Sequence, residues 1–370
     1  MSRSQRPQNS GAKPFSLILV FALLLFAGCA DSNESSKDPV RDPGALGPYP
    51  IGITEVVFYD ESRDRILLTN VWYPAAEAAR DAEPSSAESY LPEDLAFLAA
   101  NSTLTLRAVR DAALATDGPF PLILFSHGNN GINFQNGDQM EHLASHGFIV
   151  ASPDHEGNTY FDNSGSPSGL SIDRPIDVIF LLDEMLRATE DPDELFYGWV
   201  DTTLGIGASG MSFGAFTVVT AADRDDRIVA VLPQVLTAPI SEDYDTPTFL
   251  LLAEEDKTIG LDGNARIRNT YATTKGPKFL AELPDAGHFS PTISCYTGLG
   301  IGNADGCGEG ERFADGSTFE FLEATEVWEL LNHYSVAFFQ TYQRQDTRYL
   351  SFLEENAFPE IAIYQSDPQR

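Results

Sequence analysis

The most constraining stretch of this chain runs from Thr203 to Phe216 and reads Thr-Leu-Gly-Ile-Gly-Ala-Ser-Gly-Met-Ser-Phe-Gly-Ala-Phe. An apolar run passes directly into Gly210-Met211-Ser212-Phe213-Gly214 and then into small and apolar residues with helical character. A G-x-S-x-G between a strand and a helix is a nucleophile elbow. Its turn is sharp, its serine takes an unusual backbone conformation, and a Cβ at either flanking position would obstruct neighbouring chains. Such a turn lifts the serine hydroxyl above a sheet, so Ser212 is the candidate nucleophile and a sheet is expected beneath it.

The rest of the chain supplies that sheet. Apolar runs at 122–125, 148–152, 204–208, 228–232, 248–252 and 278–283 read as strands, with helical stretches at 139–146, 174–187 and 215–222 between them. Such alternation predicts an α/β fold with a mostly parallel central sheet covered by helices on both faces. Runs at 51–59 and 66–73 flank the charged turn Asp60-Glu61-Ser62-Arg63-Asp64 and predict an antiparallel hairpin at the N-terminal edge. Residues 75–117 are Ala-rich and acidic with helical spacing, an excursion before the sheet begins. A last helix is expected at 325–342. One catalytic domain, 49–345, and a C-terminal tail, 346–370, account for the pattern.

A serine hydroxyl needs a base, and the chain holds six histidines. His288, in Leu-Pro-Asp-Ala-Gly-His-Phe directly after the last expected strand, stands where the order Ser, acid, His puts the base. The acid must orient the imidazole and stabilise its charged form. Asp256 ends Phe-Leu-Leu-Leu-Ala-Glu-Glu-Asp, a buried strand running into a carboxylate cluster, with Glu254 and Glu255 as its neighbours; the slot after the preceding strand, Val-Leu-Pro-Gln-Val-Leu, has no carboxylate. Two backbone amides should face the developing oxyanion: that of Phe213, after the nucleophile, and that of Asn129 in the loop His127-Gly128-Asn129-Asn130-Gly131. His142 and His146 are four apart, but no Glu follows His142 as in H-E-x-x-H, so they read as a solvated helix face and no metal is expected. His155 and His333 show no supporting partners in the sequence.

The N-terminus carries an address. Arg3, Arg6 and Lys13 precede an unbroken apolar run at 15–27, shorter than the roughly 20 residues that span a bilayer. The run closes on Leu25-Phe26-Ala27-Gly28-Cys29, which resembles a bacterial lipobox, with Phe26 where Leu is usual. Residues 1–28 are thus expected to be a lipoprotein signal peptide, Cys29 the lipidated mature N-terminus, and 29–48 a Pro- and Gly-punctuated tether. An exported, membrane-anchored protein follows, with a soluble secreted product as the alternative. The remaining cysteines, Cys295 and Cys307, are expected to form one disulfide in an oxidising compartment. A net charge of -32 repels nucleic acid and anionic bilayers, which excludes polyanionic partners.

Four segments, Phe-Ser-His-Gly, Ser-Pro-Asp-His-Glu-Gly-Asn-Thr, Arg-Pro-Ile-Asp-Val-Ile-Phe-Leu-Leu-Asp-Glu and Gly-Met-Ser-Phe-Gly, carry a family likeness. Across roughly residues 49–342 the chain resembles α/β-hydrolases, in particular bacterial predicted dienelactone hydrolases and platelet-activating-factor acetylhydrolase-like esterases, and more distantly cutinase-type polyester hydrolases. The resemblance implies an α/β-hydrolase fold, no cofactor, and hydrolysis of small-molecule or lipid carboxylic esters by a Ser, Asp, His triad. Those roles fall on Ser212, Asp256 and His288. True dienelactone hydrolases use cysteine, and the acetylhydrolases carry their acid where this chain has Pro233-Gln234; Asp256 matches the cutinase-type position. A monomeric esterase is the main expectation. A polyester or cutin hydrolase is the alternative among enzymes, and a catalytically silent surface-binding lipoprotein the alternative outside them.

Overall fold

The computed structural model describes residues 40–369, apart from 92–95, 97–98, 100, 237, 239, 242–243 and 299–304. The expected signal peptide and Cys29 lie outside the described residues. Strands β1 (Ile51–Asp60) and β2 (Arg65–Pro74) form the antiparallel hairpin, and β3 (Val109–Arg110) runs parallel to β1. Then follow β4 (Leu122–Ser126), α1 (Gly137–Ser145), β5 (Ile149–Pro153), α2 (Pro167–Glu190), β6 (Ile206–Met211) and α3 (Phe213–Ala222). Next come β7 (Ile228–Gln234), β8 (Thr248–Ala253), α4 (Gly260–Thr273) and β9 (Lys278–Leu283). A small hairpin, β10 (Glu309–Glu311) with β11 (Thr318–Glu320), precedes α5 (Ala324–Tyr342), α6 (Leu350–Glu354) and β12 (Ile363–Asp367).

The large sheet has the order β12-β9-β8-β7-β6-β4-β5-β2-β1-β3, parallel from β5 to β9 and antiparallel at β2–β5 and β9–β12. This is the α/β-hydrolase architecture expected from the sequence. Alternate side chains of one strand feed two cores: Ile123 and Phe125 pack on one face with Phe338 and Phe339 of α5, whereas Leu122 and Leu124 pack on the other with Val178 and Leu181 of α2. Coverage on both faces explains why the central strands read as continuous apolar runs. β4 lies between β5 and β6, so the chain leaves it in one direction and returns on its other side. A crevice opens at such a switch point, outside the carboxyl ends of the strands. The elbow after β6 and the glycine loop after β4 meet there.

The structure corrects several expectations. Helix α2 begins at Pro167, not near 174: the Ser166 side chain accepts a hydrogen bond from the Gly169 amide, Pro167 occupies the first turn, and Pro175 sits within the helix. Pro175 has no N–H to offer the Ser171 carbonyl, which opens the helical ladder beside Arg174 without ending the helix. In the 75–117 excursion the described residues form short 3-10 turns at Glu77–Ala79 and Ala87–Tyr90 and the strand β3, not the helices its spacing suggested. The expected C-terminal tail is not loose over its described residues, 346–369, since β12 pairs with β9 and extends the sheet. The described end of the expected tether, 40–48, is docked on α1: His142 Nε2 donates to the Pro43 carbonyl at 2.8 Å, His146 Nε2 to that of Ala45 at 2.8 Å, and the Gly47 amide to Ser145 Oγ at 2.9 Å. Hence His142 and His146 are buried and do not form a solvated face.

Candidate active site

The elbow is built as its glycines require. Ser212 has φ 57° and ψ -117°, a left-handed-side conformation rarely taken by a residue with a side chain and a mark of functional strain. A Cβ on Gly210 would lie 2.4 Å from the Gly214 carbonyl oxygen, and one on Gly214 would lie 1.8 Å from that of Ser126. Neither position tolerates a side chain. The Ser212 amide donates to the Gln234 carbonyl at 2.8 Å, which ties the elbow to the end of β7.

Three residues from three strand ends meet here. Ser212 follows β6, Asp256 follows β8 and His288 follows β9. The Ser212 hydroxyl lies 2.9 Å from His288 Nε2, and His288 Nδ1 lies 2.7 Å from Asp256 Oδ2. With Nδ1 donating to the carboxylate, Nε2 is left as the acceptor for the serine proton. Asp256 also accepts from the Ile259 amide at 2.9 Å and is fully buried. Its neighbours are engaged elsewhere: Glu254 pairs with Arg268 at 3.1 Å, and Glu255 with Lys257 at 3.1 Å. The Gln234 side chain, in the competing slot, bonds Asn136 and Gln139 at 2.9 Å each.

The glycine loop after β4 lies beside Ser212. Neither the Asn129 nor the Phe213 amide has a hydrogen-bond partner among the described residues. Two cavities open on Ser212. An open groove of about 600 Å³ is lined by Asn129, Asn158, Leu170, Phe213, Thr258 and Arg266. A more enclosed pocket of about 320 Å³ is lined by Ile132, Tyr160, Met211, Phe289 and Ile293, with His288 at its edge. The first is the more polar of the two and has Arg266 in its lining; the second is mainly apolar.

The sequence missed two supports of this site. Asp305 Oδ1 accepts from the amides of His288 at 3.0 Å and Lys257 at 3.1 Å, and Oδ2 from the Thr258 amide at 2.8 Å. One carboxylate thus clamps the loop that carries His288 to the loop that carries Asp256. It stands two residues before Cys307, which is bonded to Cys295 as expected. The second is His155, given no partner in the sequence reading: its Nδ1 lies 2.9 Å from Asp177 Oδ2 and its Nε2 2.9 Å from Ser126 Oγ, all fully buried. Asp177 is further held by Arg63 at 2.8 Å and Arg65 at 2.7 Å. His333, also given none, has Nδ1 3.9 Å from Asp42.

Residues 35–166 match the family model of platelet-activating factor acetylhydrolase, isoform II, a stretch that includes the glycine loop and His155. Platelet-activating factor acetylhydrolase of Cavia porcellus is 24% identical over 87% of this chain and 84% of its own length. Among solved structures, a ferulic acid esterase from Streptomyces cinnamoneus superposes with a TM-score of 0.66 at 20% identity, covering 86% of this chain and 96% of the other. All of these fit an α/β-hydrolase esterase family. Taken together, such relatives indicate a carboxylic ester hydrolase.

Proposed function

We propose that the chain hydrolyses carboxylic esters through an acyl-enzyme formed on Ser212. The observation that carries this reading is the continuous chain of hydrogen bonds from Ser212 through His288 to Asp256, opening on two cavities beside two unpartnered amides. Ser212 Oγ attacks the acyl carbon while His288 Nε2 takes its proton. The carbonyl oxygen, now negative, lies between the amides of Asn129 and Phe213, an arrangement worth about 3–4 kcal/mol per donor in related sites. His288 then returns the proton to the leaving alkoxide, and water activated by the same imidazole releases the acid. Asp256 holds the tautomer and offsets the imidazolium charge. No metal or cofactor is needed for any of these steps.

The cavities divide the substrate. The apolar pocket lined by Ile132, Met211 and Ile293 suits the acyl part, and the open groove suits a bulkier, polar alcohol part. The open groove also favours a second reading, a hydrolase of polyesters, whose chains must pass the site without being enclosed. A panel of p-nitrophenyl esters of increasing acyl length, run beside phospholipid and polyester substrates and with fluorophosphonate labelling of Ser212, separates the two. Absence of both turnover and labelling would leave a silent surface-binding protein.

The N-terminus supports a lipoprotein reading in which Cys29 carries diacylglyceryl and palmitate, anchoring a monomer to a bacterial membrane. Radiolabelled palmitate should enter the wild-type protein and not Cys29→Ala. Label in both would overturn the lipobox assignment.

A further inference from the structure

Two of the segments that carry the family likeness contain no member of the Ser212 chain, yet they converge directly beneath the glycine loop. One brings His155 and Asn158, and the other Arg174 and Asp177. Arg174 is fully buried, at the start of the helical turn opened by Pro175. Its Nη2 donates to Ser126 Oγ at 2.9 Å and to the His127 carbonyl; its Nη1 donates to Asn158 Oδ1 at 2.6 Å and reaches the Gly128 carbonyl at 3.4 Å. The guanidinium carbon lies over the Phe213 ring, 4.7 Å from its centroid.

These contacts settle how one peptide plane is turned. The Gly128 carbonyl receives His127 Nδ1 at 2.7 Å and the Gly131 amide at 3.1 Å in addition to Arg174. The Gly128–Asn129 peptide is trans and planar, so its N–H points away from the direction of its C=O. Fixing the carbonyl toward Arg174 therefore turns the Asn129 amide the other way, toward the groove. Asn158 completes the clamp by donating to the side-chain oxygens of Asn129 at 2.9 Å and Asn130 at 2.8 Å. On the far side, Ser126 passes a hydrogen bond to His155, and His155 to Asp177.

We infer that Arg174 is the positioning residue of the oxyanion site, holding the Asn129 amide through the His127 and Gly128 carbonyls and Asn158, and the Phe213 segment through its ring, so that both donors face one point. This inference rests on the esterase reading. Arg174 touches no substrate atom and acts through the two amides, so its loss should weaken the transition state and spare ground-state binding.

The test compares wild type, Arg174→Lys and Asn158→Ala by steady-state kinetics, by inhibition with an aryl trifluoromethyl ketone that forms a tetrahedral adduct on the serine, and by thermal melting. Lysine keeps the charge and loses the planar fork that spans the carbonyls and Asn158. Displacing the amides by about an ångström should lower kcat about 10- to 100-fold for Arg174→Lys. KM should stay within about threefold, and the ketone inhibition constant should rise in step with the kcat loss. Asn158→Ala, which leaves Arg174 in place, should show the same signature at a smaller size and keeps the test open if the lysine variant does not fold. Folded variants with kcat within twofold of wild type, or with a kcat loss and an unchanged ketone constant, would overturn the inference. A wild-type protein that turns over no ester would instead overturn the esterase reading itself, and the inference with it.

Discussion

The molecule contains two chains of the same atomic pattern, Ser212–His288–Asp256 and Ser126–His155–Asp177, with serine to imidazole at 2.9 Å in each. Only the first is arranged for chemistry. Ser212 sits at an elbow that opens on two cavities, whereas Ser126 ends a regular strand and has no exposed surface. The Ser126 oxygen already accepts from Arg174. Charge also tells against the second. A general base must become an imidazolium, and burial together with the Arg174 guanidinium pushes His155 down to about 4. A serine, a histidine and an aspartate at hydrogen-bond distance are therefore not enough. Access and an unoccupied serine oxygen set the proposed constellation apart from the buried one, whose base also faces a cation.

The most severe test of that contrast is the pair of serine deletions. Ser212→Ala should cost about a millionfold in kcat with the fold intact. Ser126→Ala should remain within about tenfold, since it removes two hydrogen bonds beneath the glycine loop, those with Arg174 and His155, and no reacting group. A tenth of wild-type activity in pure Ser212→Ala would reverse the assignment.

The two aspartates should separate activity from stability. Asp256→Asn leaves the imidazole in the wrong tautomer and should lower kcat by about 10⁴. Glu254→Gln and Glu255→Gln should be mild, and a dead variant of either would move the acid by one or two positions. Asp177→Asn strips the buried partner from Arg63 and Arg65 and should instead cost about 3–5 kcal/mol in denaturant unfolding.

The base loops differ as well, because only that of His288 is bordered by a disulfide. Cys295 and Cys307 are 12 positions apart, so opening the ring should release roughly 3 kcal/mol of constraint on the unfolded chain. Through Asp305, reduction should lower activity and melting temperature together. Alkylation of both Cys295 and Cys307 in the unreduced protein would show that this disulfide does not form.

The last contrast lies in the acid range. His155 is folded around in its neutral form, with Ser126, Arg174, His127 and Asp177 facing it, and its value falls from 6.5 to about 4. Between those values the unfolded chain binds the extra proton, so stability is lost as pH falls from 6.5 toward 4. His155→Gln should flatten the stability curve in that window by about 1.4 kcal/mol per pH unit. An unchanged slope would mean that His155 does not titrate on unfolding.

Some of this was legible in residue order alone. The elbow at 210–214, the alternation of apolar runs and helical stretches, and the position of His288 after the last parallel strand are local features, set by backbone demands and by the periodicity of burial. The choice among Glu254, Glu255 and Asp256 was partly legible, because one residue of register around a turn decides which carboxylate faces inward. The buried network was not. His155 follows β5 and Asp177 lies within α2, and nothing in either segment announces a partner that only the packing of α2 beneath the β4 loop brings within 2.9 Å. Asp305 was hidden for the same reason, since its role depends on two loops from different strands converging on one carboxylate. The sequence by itself determined the strands, the strained serine and the order of the reacting groups, because these rest on neighbours along the chain. Tertiary structure alone decided which polar residues hold that geometry, because buried hydrogen bonds are satisfied by whatever the folded packing brings near, at any distance in sequence.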